Sequence, residues 1–426
     1  MKKILILGAG KSATLLIEYL LTQASIHQWQ VIVADQNMDI AAQKVHNHIC
    51  GKAVALNVQQ AAERMTYIQQ SDVVISLLPP TLHYLIAKDC IEYSKHLLTA
   101  SYVDENIKGL QKDIEHKGLL FLCEMGLDPG IDHMSAMQAI HKLQEKGATI
   151  HSFISHCGGL VAPESDDNPW HYKVSWNPRN VVMAGKAGAS YKEDGVVKAI
   201  GYHELFNAKR TVEICDAGVW SWYPNRDSIS YAKIYGLEKL STFIRTTLRH
   251  TNFMYGWKAL IHAGCTAENK IYDTSIMSCN TFLDLYFKNE NDVLLKELIS
   301  SLYIKNDKFL NKRMCAAIDI LQSIIEHQWT LQPNDKDMIL MMHDIRYTLN
   351  NEHHQLKSCL IVKGKNCTHT AMAKTVGLPL AIAATLLLEG KLNINGLHIP
   401  ITPAIYNPVL DILKEHRVLF KEYYFK

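Results

Sequence analysis

The sequence lacks the signals that mark membrane, nucleic-acid-binding, metal-binding and disulfide-rich proteins. Its ten cysteines include no CxxC pair and its 21 histidines show no metal-ligand spacing, so we expect reduced thiols, a cytoplasmic protein and no metal site. The net charge of +2 over 426 residues predicts neither a nucleic-acid nor an acidic-membrane partner. There are no repeats, and the longest late apolar run, 378–388, is interrupted by Pro379 and too short to span a bilayer.

The N-terminus carries a dinucleotide-binding pattern. An apolar run at 3–7 leads into the glycine turn GAGKSA at 8–13, a helical pattern, and a second apolar run that ends at Asp35. The glycines allow a tight turn and a close approach of backbone N–H groups to a diphosphate, and the last alanine is small enough for helix–strand packing. Asp35 follows Ala13 by 22 residues, the spacing of a carboxylate that binds a ribose diol. The alternative is an ordinary α/β turn with an incidental aspartate.

Short apolar runs continue to alternate with helical patterns up to residue 124. We predict further strands at 53–58, 72–78, 96–101 and 119–124, with helices between them. This alternation predicts an α/β fold with a doubly wound parallel sheet of the Rossmann type. Ligands of such sheets lie at the carboxyl ends of the strands, so we expect the residues that follow each strand to face the cofactor.

The pattern changes after residue 128. A helix is predicted at 131–146, and the region 150–249 mixes strand-like runs with glycine pairs and aromatic residues, which predicts a mixed sheet. The spacing of apolar residues is helical from 263 to about 326. We predict strands again at 338–348 and 358–362, and a long helix at 368–389.

Two candidates for proton transfer follow the nucleotide-binding half. Asp128 lies in the segment GLDPGIDH, where it could hold a substrate ammonium group or relay a proton; equally, it could only cap the helix that follows. Cys157 lies in the segment HCGGL, whose glycines allow a backbone to approach a ligand closely. The alternative for Cys157 is a buried, inert thiol.

Two arginines suit a substrate with several carboxylates. Arg226 lies in the motif YPNRDS and Arg249 in TLRH, and guanidinium groups bind carboxylates through paired hydrogen bonds. The alternative is structural, with Arg226 paired to Asp227 or another local acid. The aromatic segment 168–178 either covers the nicotinamide or packs in a core.

Together these segments resemble the saccharopine dehydrogenase family of the L-glutamate-forming type. The matching motifs are, in chain order, LGAGKSA, DVVISLLPP, TASYV, EMGLDPGIDHM, SHCGGLVAPESDDNPWHYKVSW, YPNRDS, TLRH and MAKTVGLPLAIAATLLLEG. They extend over essentially the whole chain. Two departures from the family pattern, Val161 in place of proline and the NPWH segment, lie near the rim of the expected site.

The resemblance implies three structural parts and a reaction. The parts are a dinucleotide-binding domain at 1–128 completed by 391–426, a mixed α/β substrate and dimerisation domain at 129–262 and 338–390, and a helical insertion at 263–337. The reaction is the oxidation of saccharopine by a nicotinamide dinucleotide, followed by hydrolysis of the imine to glutamate and α-aminoadipate semialdehyde. A homodimer is implied as well.

The resemblance also implies particular site residues. Asp128 and Cys157 are the candidate catalytic residues. The implied substrate contacts are Ser101, Tyr102, Asp128, Arg226, Thr247, Leu248 and Arg249. The expected cofactor contacts, including those of the glycine turn, are Gly8, Gly10, Lys11, Ser12, Ala13, Asp35, Asn57, Val58, Leu78 and Ser175.

We predict NAD as the cofactor in preference to NADP. Asp35 would repel a 2′-phosphate, and the residues that follow, Gln36 and Asn37, include no arginine to offset it. An NAD preference favours the lysine-degrading direction. Two other functions remain open. One is a related imine-reducing polyamine dehydrogenase such as carboxyspermidine dehydrogenase, in which we expect acids in place of Arg226 and Arg249. The other is a non-catalytic dinucleotide sensor.

Overall fold

The computed structural model of the protein describes residues 1–307, 310 and 313–426. Its strands are β1 Lys3–Leu7, β2 Gln30–Asp35, β3 Gly51–Ala55, β4 Val73–Ser76, β5 His96–Thr99, β6 Leu120–Leu122, β7 Thr149–Val161, β8 Ala189–Glu193, β9 Val196–Ile200, β10 Thr211–Ile214, β11 Gly218–Pro224, β12 Arg226–Asp227, β13 Thr242–Arg249, β14 Ile271–Asp273, β15 Met314–Ala316, β16 Asp337–Leu349, β17 Glu352–Lys363, β18 Gly396–His398 and β19 Lys421–Phe425.

Its α-helices are α1 Thr14–His27, α2 Met38–Val45, α3 Ala61–Gln69, α4 His83–Glu92, α5 Glu105–Gly109, α6 Gln111–His116, α7 Ile131–Glu145, α8 Pro178–Val182, α9 Tyr202–Leu205, α10 Ser228–Ile234, α11 Thr251–Ala263, α12 Cys279–Phe287, α13 Val293–Ser300, α14 Ala317–Gln328, α15 Ala371–Leu388 and α16 Pro403–Glu415. A 3₁₀ turn at Lys11–Ala13 joins β1 to α1.

The chain divides into two compact units. Unit 1 comprises Met1–Lys142 and Ala371–Leu419, and unit 2 comprises Leu143–Thr370 and Phe420–Lys426. This division differs from the expected boundaries, because α15 belongs to unit 1 and β19 belongs to unit 2. The physical reason is pairing: α15 packs on α1, and β19 extends the sheet of unit 2 along β17.

Unit 1 contains a seven-stranded parallel sheet with the strand order β18-β6-β5-β4-β1-β2-β3. The central strand β1 is buried along its whole length from Ile4 to Leu7, so both faces of the sheet are covered. Continuous branched apolar runs are typical of such doubly covered parallel strands. The structure therefore confirms the predicted doubly wound sheet, and the carboxyl ends of β1, β4 and β5 lie next to one another at one edge.

Unit 2 contains a mixed ten-stranded sheet, as predicted from the second half of the chain. Its main path is β10-β11-β13-β7-β16-β17-β19, with β8, β9 and β12 attached at the side of β13. The pair β13–β7 is parallel, whereas β7–β16 and β16–β17 are antiparallel. The two long strands β16 and β17 form a hairpin, which sets their register over twelve residue pairs.

The segment expected to form a separate helical insertion, 263–337, lies within unit 2. It contains α12, α13 and α14 with the short strands β14 and β15. These helices pack around a buried aromatic cluster that includes Trp170, Phe253, Trp257 and Trp329, so helices and aromatic segment share one core. The aromatic segment at 168–178 thus contributes to core packing, the second of the two alternatives drawn from the sequence.

Helix α15 is long and apolar enough, by length and composition, to cross a membrane. It continues through Pro379, as the predicted long helix at 368–389 requires. However, 83% of this 18-residue stretch is buried inside the protein, as in the core helix of a globular domain. Gly377 faces α1 so closely that a methyl group there would lie 3.0 Å from Leu16 Cβ.

Candidate active site

The glycine turn of unit 1 has the geometry of a diphosphate site. Gly8 has a φ of +102°, and a Cβ there would lie 3.2 Å from the carbonyl oxygen of Leu77, so a larger residue would be strained. Gly10 instead has open space within 4 Å of its missing Cβ. The 3₁₀ turn Lys11–Ala13 that follows has neither a side-chain cap nor an acidic residue in its first turn. The turn therefore leaves backbone donors and a positive dipole end for phosphate groups.

Asp35 is held by the backbone rather than left open to a ribose. Its Oδ2 accepts a hydrogen bond from the N–H of Ala9 at 2.8 Å, and its Oδ1 accepts one from the N–H of Asn37 at 2.9 Å. Oδ2 therefore braces the glycine turn against the end of β2, whereas Oδ1 fixes the residues that follow β2. Each such bond stabilises the carboxylate in a fixed position and occupies a lone pair that was expected to bind the ribose diol.

The loop after β3 is fixed by a buried ion pair. Asn57 accepts hydrogen bonds from the N–H of Gln59 and from the side chain of Gln36. The carbonyl of Val58 accepts one from the guanidinium of Arg64, which is paired with Asp89. The predicted contacts Asn57 and Val58 therefore lie on a rigid loop at the ligand edge of the sheet. Leu78, half-buried, follows β4 at the same edge.

A hydroxyl–imidazole chain at the ends of β4 and β5 was missed by sequence reasoning. The Oγ of Ser76 lies 2.9 Å from His83 Nδ1, and His83 Nε2 lies 2.7 Å from the Oγ of Ser101. Thr99 Oγ1 lies 3.3 Å from the same nitrogen. Burial lowers the pKa of His83 to about 4, against the opposing charge of Asp104. The sequence does place His83 three residues after Pro80, close to the carboxyl end of the predicted strand 72–78, where ligands of such sheets bind.

Asp128 lies on a closely packed loop between β6 and α7. Its Oδ1 accepts a hydrogen bond of 3.2 Å from the hydroxyl of Tyr102, so two predicted substrate contacts meet. From residue 119 to 137, Asp128 is the one position that is not buried. A Cβ on Gly130, which has a φ of +143°, would lie 2.1 Å from the carbonyl oxygen of Gly126, so the loop is compatible only with glycine there.

Beneath this loop lies a buried group of charged side chains. His133 Nε2 lies 2.8 Å from Glu124 Oε2, and its Nδ1 lies 3.6 Å from Asp132 Oδ2. The other oxygen of Glu124 accepts a hydrogen bond from the N–H of Val103, next to Tyr102. The same group therefore anchors both the Tyr102 loop and the start of α7. These residues lie in the motif EMGLDPGIDHM, and no role was predicted for them from the sequence.

In unit 2, Cys157 and Ser175 are both buried. Cys157 is 5% exposed on the central strand β7, where it is paired with Thr247 on β13 and Met341 on β16. Its neighbour His156 shares a 2.7 Å hydrogen bond with Thr246, and burial lowers the pKa of His156 to about 3. The segment before Ser175 is held by Lys173, which is paired with Asp167 and Asp335.

The two candidate arginines lie in contrasting settings. Arg249 ends β13 and is only 4% exposed, with its guanidinium over the rings of Tyr172 and Phe253 at 5.1 and 5.5 Å. Its Nη1 donates to the carbonyl of Leu248, whereas its Nε has no hydrogen-bond partner in the part of the chain that the structure describes. Arg226 is exposed and has a φ of +49°, in the left-handed region. Asp227 accepts hydrogen bonds from the N–H groups of Ile229 and Ser230 and so caps α10.

A pair of histidines in unit 2, His171 and His250, was also not predicted from the sequence. His171, with a φ of +50°, lies 2.6 Å from Asp166, and its ring centroid is 3.7 Å from that of His250. Burial and the neighbouring His171 lower the pKa of His250 to about 4. Over residues 1–307, 310 and 313–426, no three His, Cys, Asp or Glu side chains are grouped so that they could hold a metal ion.

Comparison with known proteins places this geometry in a family. Residues 4–122 match the family model for the saccharopine dehydrogenase NADP binding domain, and residues 126–419 match that for the saccharopine dehydrogenase C-terminal domain. The structure is similar to that of apo histidine-tagged saccharopine dehydrogenase (L-Glu forming) from Saccharomyces cerevisiae, with a TM-score of 0.89, 29% identity and 100% coverage of both chains.

The curated relatives fall into two groups, one about twice as long as this chain and one of similar length. Alpha-aminoadipic semialdehyde synthase, mitochondrial, from Bos taurus is 33% identical over 98% of this chain but 47% of its own length. This chain therefore spans about half the length of the synthases that it matches. Saccharopine dehydrogenase (NADP(+), L-glutamate-forming) from Saccharomyces cerevisiae is 30% identical over 97% of both chains.

These findings correct the predicted cofactor and establish the family. The relatives from two yeasts and Pyricularia oryzae are named as NADP(+) enzymes, and the matching nucleotide domain is an NADP-binding one, so the prediction of NAD from Asp35 is wrong. The error has a physical reason, since both oxygens of that carboxylate are engaged by backbone N–H groups. Across both matched domains and nearly its whole length, the chain belongs to the saccharopine dehydrogenase family.

Proposed function

We propose that this chain oxidises saccharopine, through an imine, to L-glutamate and α-aminoadipate semialdehyde, in a reversible reaction with NADP. The support is its membership of the family and its full-length similarity to a yeast enzyme named as the NADP(+), L-glutamate-forming saccharopine dehydrogenase. Because the longer synthases extend well beyond the matched region, the proposal covers this one reaction only. We also propose a cytoplasmic homodimer, on the resemblance and the scattered cysteines alone.

The observation that carries the proposal is the partial exposure of Asp128 on an otherwise buried loop. A carboxylate at such a position, hydrogen-bonded to the hydroxyl of Tyr102, is oriented and reachable by a ligand. It can hold a substrate ammonium group or exchange a proton with the secondary amine. Saccharopine offers both an ammonium group and a secondary amine.

NADP would supply the acceptor for the hydride that leaves the substrate carbon. The residues that fit its diphosphate are those of the glycine turn, where the open space at Gly10 and the uncapped turn Lys11–Ala13 leave N–H groups available. Asp35 keeps this turn in place through Ala9. An Asp35→Asn variant keeps one acceptor oxygen but sets its NH2 group against the other backbone N–H donor, so we expect NADPH affinity to fall by about tenfold, the equivalent of one lost hydrogen bond.

The proposal is tested by NADPH formation when saccharopine is added to purified protein with NADP. Carboxyspermidine and spermidine serve as competing substrates. We expect Asp128→Asn to lower kcat/KM by about 100-fold, the usual contribution of a general acid–base group, and Tyr102→Phe to lower it less. Asp113→Asn, on the exposed face of α6, is the matched control. Absence of turnover with saccharopine, or a preference for carboxyspermidine, would overturn the proposal.

A further inference from the structure

The chain Ser76–His83–Ser101 leads from the core of unit 1 to the edge of its candidate site. Ser76, the last residue of β4, is fully buried, and His83, the first residue of α4, is 4% exposed. Ser101 follows β5 and is partly exposed. The two hydrogen bonds of His83, 2.9 Å and 2.7 Å long, therefore connect a buried hydroxyl to one that a ligand can reach.

The protonation state of His83 gives these hydrogen bonds a direction. Because burial lowers the pKa of His83 to about 4, its imidazole is neutral near pH 7 and has one N–H donor and one acceptor nitrogen. One serine hydroxyl must donate to the ring while the other accepts from it, in either tautomer. The hydroxyl of Ser101 is therefore restricted in both orientation and hydrogen-bonding role, which a free surface serine is not.

Ser101 also lies beside the other residues of the candidate site. Its carbonyl accepts a hydrogen bond from the N–H of Glu124, and it directly precedes Tyr102, whose hydroxyl binds Asp128. Its own N–H donates to Thr99 Oγ1, which also contacts His83. The backbone of Ser101 is thus fixed from two sides, and only its hydroxyl remains to be set by His83.

We propose that His83 is a positioning residue: anchored by Ser76, it orients the Ser101 hydroxyl to hydrogen-bond the bound substrate. This rests on the proposed function, because it assigns the substrate as the ligand of Ser101. His83 itself does not touch the substrate. A group oriented in advance binds with less loss of side-chain freedom, so the effect of His83 appears in substrate binding.

The test is a double-mutant cycle of His83→Phe with Ser101→Ala, measured by steady-state kinetics with saccharopine and NADP. We expect Ser101→Ala to raise KM about tenfold, the equivalent of one hydrogen bond, and His83→Phe to raise it about fivefold. In the Ser101→Ala background, His83→Phe should add less than about a twofold change, because the group through which it acts is gone. Ser76→Ala should raise KM in the same direction by less.

Two further measurements separate positioning from general damage. NADPH binding, followed by its fluorescence, should be unchanged in all three variants. His96→Gln is the matched control: its ring accepts a hydrogen bond from the N–H of Leu120 at the opposite, amino-terminal end of β5. We expect this variant to leave the KM for saccharopine unchanged and to combine additively with Ser101→Ala.

The outcomes are distinct. An effect of His83→Phe that disappears in the Ser101→Ala background supports the inference. Additive effects, or an equal loss of NADPH binding, would overturn it and leave His83 a structural residue, while the proposed function stands. If His83→Phe does not fold, additivity of Ser76→Ala with Ser101→Ala overturns the inference in the same way. No turnover of saccharopine by the wild-type protein would overturn the proposed function and the inference with it.

Discussion

The two units prepare their candidate residues in different ways. In unit 1 the side chains are small or lie at strand ends, and backbone geometry places them: Gly10 leaves space, Gly130 closes a loop and Asp35 braces a turn. In unit 2 a cation is buried among aromatic rings, as with Arg249 over Tyr172 and Phe253. The first kind of site depends on where the backbone runs, and at Gly130 on a conformation that few residues can adopt, whereas the second depends on side-chain packing.

This difference indicates which changes should affect folding and which should affect binding. A methyl group in a crowded backbone position cannot be accommodated, so it acts on the fold. When an apolar side chain of similar length replaces a buried cation, the packing is kept and the free energy of unfolding changes little. Such a substitution should therefore lower ligand affinity rather than stability. Substitutions in both units test whether this contrast holds.

The largest effect is expected at Gly130. Gly130→Ala places a Cβ 2.1 Å from the carbonyl oxygen of Gly126 at a φ of +143°, so we expect a loss of more than about 3 kcal/mol in the free energy of unfolding, measured by urea denaturation. Gly147→Ala, with a φ of +82° and no atom within 4 Å of the new Cβ, should cost only about 1 kcal/mol.

A companion variant in the same unit separates folding from binding. Gly10 has a φ of −63° and open space at its Cβ position, so Gly10→Ala should keep the wild-type unfolding midpoint and lose NADPH affinity. A Gly130→Ala protein with wild-type stability would contradict the view that backbone crowding shapes this loop.

The next effect is expected at Arg249. Arg249→Met should weaken saccharopine binding by about 10- to 100-fold, the size of a charged hydrogen bond, with little change in thermal stability because the guanidinium lies in an apolar setting. Binding is measured by calorimetry in the presence of NADPH, and stability by thermal denaturation. Arg226→Met serves as the exposed counterpart. A large fall in Tm with unchanged affinity would make Arg249 a structural residue and remove the contrast.

The last prediction concerns the pH dependence of stability, to which a buried histidine in each unit contributes. The folded pKa values of His83 (about 4) and His156 (about 3) lie below the unfolded value of 6.5, so the unfolded state binds protons first as the pH falls. Stability is therefore full above pH 6.5 and declines toward pH 4. We expect each histidine to lower the free energy of unfolding of the wild type by about 2 kcal/mol between pH 7 and pH 5.

Glutamine variants in both units test whether these histidines cause the loss of stability at low pH. His83→Gln and His156→Gln should each show a smaller difference between urea unfolding free energies at pH 7 and pH 5. Glutamine does not titrate, so it is the appropriate replacement for an uncharged imidazole. A wild-type protein that is equally stable at both pH values would contradict the burial of neutral histidines in either unit.

Much of the fold could be predicted, because it depends on local patterns. The alternation of apolar runs and helices identified the parallel sheet, and α7 and α15 occur within a few residues of their predicted ends. Strand ends were less accurate: β4 stops at Ser76 rather than residue 78, since Leu77 and Leu78 leave the sheet toward Pro79. The pairing of β19 with β17 could not be predicted, because its residue pairs, from Cys359–Lys421 to Gln355–Phe425, are 62 to 70 positions apart and no local signal joins them.

The candidate site was predictable only where a motif carries its own geometry. The glycine turn and the Asp128 loop were identified from spacing, and the structure joins Tyr102 to Asp128. The engagement of Asp35 was not predictable, because a sequence shows a carboxylate but not its hydrogen-bond partners. For the same reason the role of His83 was missed: its two serine partners come from different strands and meet only after the sheet has formed.

The packing of α15 on α1 has a consequence for how the chain folds as it is synthesised. Leu16 of α1 is covered by Gly377, which leaves the ribosome some 360 residues later. Unit 1 begins to emerge first, but the surface of α1 that packs on α15 stays uncovered until most of unit 2 has been translated. A truncated polypeptide ending near residue 142 would expose that surface, and we expect nascent chains of intermediate length to depend on chaperones until the late helix arrives.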